Sequence, residues 1–176
     1  MPYSMVVGMG FTLAGLIGLA YAFKWVWSPM LDQWRLPILG RMGRRRSWLI
    51  LSQILVAIGL AGMAFSNPQT HLAVLIALAV MVAFASATQD IAVDAYRLEI
   101  VESDRQAALA ASYMAGYRVA VLLATAGPLY FAEWFGSTGL QYRHSAWAST
   151  FLLFALLMLP GMLTTIWIKE PKICLD

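Results

Sequence analysis

Apolar residues in this chain gather into runs of about twenty, the length a helix needs to cross a bilayer core, and short polar stretches close each run. The first, over about 8–28, ends at Ser28-Pro29, where proline lacks an N–H and disfavours a helical residue before it. Further runs cover about 48–66, 72–98, 106–131 and 147–168. The pattern predicts an all-α integral membrane protein with five transmembrane helices. Few residues remain between the runs, so no soluble domain is expected and 1–176 should form a single unit.

The polar connections carry a sidedness. Five of the 12 basic residues lie between Arg35 and Arg46, in a connection that starts at Met30. Arginine this dense beside two spans marks the cytoplasmic side. The uncharged turn Ser66-Asn67-Pro68-Gln69 and the stretch 133–145, with Arg143 as its one basic residue, should then lie outside. Glu102 to Arg105 and Lys169-Glu170-Pro171-Lys172 should lie inside, and the N-terminus outside. Ser103 is placed to cap the fourth span, and Asp104 suits its positive end. Gly15, Gly18 and Ala22, and again Gly116, Ala120 and Ala124, form small-residue stripes that let helices approach closely.

Composition sharpens the class. The chain is 61% hydrophobic and 12% charged, against about 45–50% and about 25% in soluble domains. A net charge of +3 reflects the inner loops and does not point to nucleic acid. A lone cysteine, Cys174, excludes an internal disulfide. His71 and His144 lack metal-ligand spacing, and neither a nucleophile elbow nor a phosphate loop occurs. No cofactor, no metal and no enzyme chemistry are expected. An acid pair at Asp90 and Asp94 would need a nucleophile or metal that the sequence does not supply. The first run is too long for a cleavable signal peptide.

The candidate chemistry sits at the end of the third run, from Ser86 to Glu99. On one helix Asp90, Asp94 and Arg97 fall within about 60° of one another. A carboxylate in lipid costs about 2.5–3.5 kcal/mol on insertion scales, so this stripe should face other helices or a water-filled cavity. Such acids suit proton uptake and release; alternatively Asp94 and Arg97 form a structural clamp. Lys24 either snorkels between Trp25 and Trp27 or faces the cavity. Arg118 likewise snorkels or grips an anionic group with its planar fork. Tyr113 and Tyr117 share a face suited to packing or to lining a path, and Gln89 points about 100° away from Asp90. Asp32 with Arg44, Arg45 and Arg46 can clamp the inner helix ends and act as a gate, while the positive-inside rule by itself explains Arg45 well and Asp32 poorly.

Four ordered motifs bring in a resemblance. They are Tyr21-Ala22-Phe23-Lys24-Trp25-Val26-Trp27-Ser28-Pro29-Met30-Leu31-Asp32, Gly43-Arg44-Arg45-Arg46-Ser47-Trp48, Ala87-Thr88-Gln89-Asp90-Ile91-Ala92-Val93-Asp94-Ala95 and Gly116-Tyr117-Arg118. The second, with Asp32, resembles the loop signature of major facilitator carriers, although Ser28 replaces the usual glycine and 34–42 lengthen the loop. Together the four resemble the muropeptide permease (AmpG) family, which is related to acetyl-CoA transporters and linked to β-lactamase induction. The resemblance implies a proton-driven importer of anhydromuropeptides in the bacterial inner membrane. Lys24, Gln89, Asp90, Asp94, Tyr117 and Arg118 would line its path, with Asp32 and the arginines at the gate. Its partners would be lipid, protons and a muropeptide-like solute. Such carriers have about twelve spans in two halves, and the five spans here match helices two to six of the N-terminal half. Transport would then require a complementary C-terminal half. The alternatives are a non-transporting interaction module, a decayed fragment, or a carrier of another anionic solute such as an acyl-CoA.

Overall fold

A computed structural model describes residues 15, 18–19, 21–34, 36, 43–100, 104–138 and 142–170. About half of the expected first span, chiefly its beginning, lies outside the described residues, as do Ser103 and Cys174. The ordered elements are helices: α1 (Lys24–Gln33), α2 (Arg44–Phe65), α3 (Leu72–Ile100), α4 (Gln106–Trp134), α5 (His144–Leu156) and α6 (Met158–Trp167). Four stretches among the described residues are long and apolar enough to cross a membrane: α2, α3, α4 and the consecutive pair α5–α6.

Several boundaries differ from the expected ones for identifiable reasons. The first helix does not stop at Ser28-Pro29 but runs through Pro29 to Gln33. A proline ring conflicts with the carbonyl four residues earlier, and the irregularity falls upstream, at Phe23, where the turn before α1 is made. Asp32 is therefore helical, not part of a loop. The second span begins at Arg44, so the three arginines form the first turn of α2. The fifth span breaks at Leu157, three residues ahead of Pro160, again on the N-terminal side of the ring. Arg105, and not Ser103, is the N-cap of α4, with no side-chain cap bond.

α2 and α3 form the tightest pair. A Cβ on Gly59 would overlap a methyl of Val82, and one on Gly62 would stand 3.0 Å from the Leu78 methyls. Small residues therefore set this approach, as van der Waals packing between membrane helices requires. The hairpin between them is an Asx turn in which the Gln69 N–H donates to Asn67 Oδ1 at 2.9 Å. Leu31, Trp48, Leu49 and Ala92 make a buried cluster where α1, α2 and α3 meet. The stripe Gly116, Ala120 and Ala124 does not pack: all three are exposed, and nothing lies within 4 Å of a Cβ built on Gly116. Gly15 and Gly18 are likewise open.

α4 stands apart along most of its length. Every residue from Met114 to Ala126 is exposed. Its far end packs on α5, where Phe131 meets Phe154 edge-on with ring centres 6.2 Å apart and Gly127 admits the Phe154 ring.

Candidate functional site

Three arginines in the first turn of α2 sit at the positive end of the helix dipole, an unfavourable place for cations. Gly43, the N-cap, offers no side chain to cap the helix. Carboxylates from other elements make good both deficits. Arg45, only 5% exposed, donates from Nη1 to Asp32 Oδ1 of α1 and from Nη2 to Glu99 Oε1 of α3, each at 2.5 Å. Its Nε adds a bond to the same Glu99 oxygen at 3.1 Å. Arg44 reaches the Asp32 carbonyl at 2.5 Å and lies 3.5 Å from Glu99. The inner ends of α1, α2 and α3 are thus held at one guanidinium.

Arg46 faces the other way. It donates to the Thr165 carbonyl at 3.0 Å and to that of Ile166, satisfying acceptors that the end of α6 leaves free. Glu170, just past α6, returns the favour by accepting from the backbone N–H groups of Arg45 and Arg46 at 2.8 and 3.2 Å. Tyr96 of α3 donates to the Lys169 carbonyl at 2.9 Å. The cluster of Asp32 and the arginines therefore also includes two carboxylates that sequence reasoning missed, Glu99 and Glu170. A signal existed: three cations opening a helix with a glycine N-cap demand acids from elsewhere.

Gly43 has φ 113 and ψ 161, a region essentially reserved for glycine, and an added Cβ would overlap the Glu170 carboxyl group. Gly43→Ala is expected to lose about 1–3 kcal/mol, measured by reversible unfolding in mixed micelles. A variant as stable as the parent would show that neither the backbone nor the cap matters there.

Above this cluster opens a cleft of about 530 Å³ between α1 and α3. Lys24, Trp25 and Ser28 line it from α1, Asp94 and Leu98 from α3, and Asp32, Arg45 and Glu99 lie at its inner end. Lys24 therefore faces the cleft. α3, at 29 residues, exceeds the roughly 20 needed to cross; counted from Leu72, those 20 end beside Asp90, and Asp94 lies a turn further in. Asp90 is half-buried and feels the charges of Lys24 and Asp94, but has no hydrogen bond or ion pair among the described residues. Asp94 lies 3.7 Å from Arg97, and its side chain is 42% exposed.

The remaining path candidates divide. Gln89 is half-buried on α3. Tyr117, on α4, stacks on Tyr113 with centroids 6.5 Å apart, and the hydroxyl of Tyr21 donates to Ser86 Oγ at 2.8 Å. Arg118 is exposed and makes no ion pair among the described residues. The structure thus gathers Lys24, Asp94, Asp32 and Arg45 around one cleft, while Gln89, Asp90, Tyr117 and Arg118, like Arg44 and Arg46, are not part of its lining. Among the described residues, no cluster of three or more His, Cys, Asp or Glu side chains could hold a metal ion.

Comparison with known proteins agrees with this architecture. The Major Facilitator Superfamily profile matches residues 3–173. Anhydromuropeptide permease of Escherichia coli (strain K12) is 37% identical over 157 residues, covering 89% of this chain and 29% of the permease. A protein of Rickettsia conorii named provisionally as transporter AmpG 4 is 35% identical over 155 residues, covering 88% of this chain and 36% of its own length. An uncharacterized protein of Haemophilus influenzae is 39% identical over 157 residues, covering 88% of this chain and 34% of itself. No solved structure matches. The chain spans about a third of the length of these relatives. Matched over nearly all its residues and carrying, among those described, four stretches long and apolar enough to cross a membrane, the chain belongs to the Major Facilitator Superfamily, as an AmpG-type multi-pass protein of the bacterial inner membrane.

Proposed function

We propose that this chain is the N-terminal part of a single proton-coupled transport domain that imports anhydromuropeptides, and that it works with a complementary C-terminal half. The observation that carries the reading is the cleft itself. A half-buried lysine of α1 and a carboxylate of α3 line it, and it ends at the Asp32–Arg45–Glu99 cluster, in which the guanidinium is buried. In this reading Asp90 and Asp94 take up and release the proton. Lys24 and Gln89 lie along the route from α1 and α3, and Tyr117 and Arg118 join it when α4 closes. Asp32, Arg44, Arg45 and Arg46 form the inner gate, which holds the helix ends together in one conformation and parts in the other. Rocking of this kind needs two halves, and the short coverage of the relatives supports the need for a second one.

The test is uptake of labelled anhydromuropeptide into vesicles that contain this chain together with the C-terminal half of a relative. Gradient-driven accumulation is expected from the pair and not from either part separately. A folded, assembled pair that moves no muropeptide would overturn the reading, and uptake of an acyl-CoA instead would reassign the solute.

A further inference from the structure

At the edge of the cleft, the ion pair of Asp94 and Arg97 lies where α4 comes back to the rest of the protein. Arg97 is in the last turn of α3, a favourable place for a cation. Its Nη2 stands 3.7 Å from Asp94 one turn earlier. The same guanidinium carbon sits 4.7 Å over the centre of the Tyr113 ring on α4, within the range at which a cation is attracted to an aromatic face. Tyr113 in turn stacks on Tyr117, the residue before Arg118.

The burial pattern shows why this contact counts. Leaving aside Gln106 and Leu109 at its start, α4 touches the protein at Tyr113 and then from Gly127 onward, with every residue between exposed. Pro128 lies inside the helix at the far attachment, where the lost hydrogen bond makes bending easy. From Pro128 to Tyr113 is about 22 Å of helix, so a tilt of about 10° at the proline moves the Tyr113 end by about 4 Å. The contacts at the inner end, Gln106 and Leu109 at the start of the helix and Tyr113 furthest along it, therefore set the tilt of the lever.

We infer that Arg97 is a positioning residue: together with the contacts at the start of α4 it biases the tilt of that helix, through the face of Tyr113, and it takes its own place from the carboxylate of Asp94. A change of charge at Asp94 is thereby converted into movement of the helix that carries Tyr117 and Arg118. This holds whatever solute the cleft accepts, so its test is separate from the uptake test.

The experiment uses the full chain in lipid nanodiscs, in a Cys174→Ser background, with spin labels at exposed Ile54 of α2 and Ala111 of α4. A control pair joins Ile54 to Val74 of α3. Arg97→Gln, Tyr113→Leu and Asp94→Asn should each lower the ratio of short to long Ile54–Ala111 distances by about two- to five-fold, the loss expected for one cation–π contact. Tyr113→Phe keeps the ring and should retain the parent distribution, and the control pair should not move. An unchanged distribution in Arg97→Gln or Tyr113→Leu would overturn the inference, and an unchanged one in Asp94→Asn would remove Asp94 from it. Should the control pair also broaden in the leucine variant, the phenylalanine variant decides: broadening there counts against the contact, and a parent-like distribution supports it.

Discussion

Arg45→Ala is expected to destabilise the protein by roughly 3–5 kcal/mol, the cost of removing one partner from a buried ion pair. Arg45 is 5% exposed and is the common donor to Asp32 and Glu99. Its loss strands two carboxylates that face the same space, so repulsion is added to desolvation. The side chain of Asp32 is 50% exposed and that of Glu99 28%, so water recovers part of the loss and the lower end of the range applies. Arg45→Lys keeps the charge but not the fork that serves two acceptors, and should recover only part of the stability. Asp32→Asn should cost no more than about 1 kcal/mol, as for a pair with one partner in water. Reversible unfolding of the three variants in mixed micelles measures all of these. If Arg45→Ala unfolded within about 0.5 kcal/mol of the parent, as a surface substitution would, the cluster would not be what holds the inner helix ends.

Asp90→Asn should abolish the dependence of uptake on an imposed proton gradient in the reconstituted pair. The amide has the same shape and can still hydrogen-bond, but it cannot take up a proton at working pH. Accumulation should fall to the level of vesicles without a gradient, while exchange of solute for solute across the membrane persists. Asp90 rather than Asp94 should show the larger effect, because Asp94 is already engaged with Arg97 whereas Asp90 has no such partner among the described residues. Gradient-driven uptake that survives in the asparagine variant would move the proton site elsewhere.

The membrane-crossing elements were legible because their signal is local. Length and apolarity of a run decide whether it can span. The helix ends were less legible. Pro29 and Pro160 read as stops or went unnoticed, yet the chain continues as helix through both, since neighbouring elements can support a bend that an isolated helix would not. The stripe around Gly116 and the pair Gly59 and Gly62 look alike in sequence, and only the latter is packed. Small residues permit close approach without saying which helix arrives.

What the sequence by itself determined is the class of the protein and the identity of its costly charges, because each follows from the free energy of moving a residue or a short run between water and lipid. The tertiary structure decided the pairing of those charges. Glu99 reaches Arg45 across 54 residues and Glu170 reaches it across 125, separations over which no periodicity carries information. It also decided that α4 is held at its two ends, since which faces meet depends on the packing of all the helices together and not on the pattern of any one.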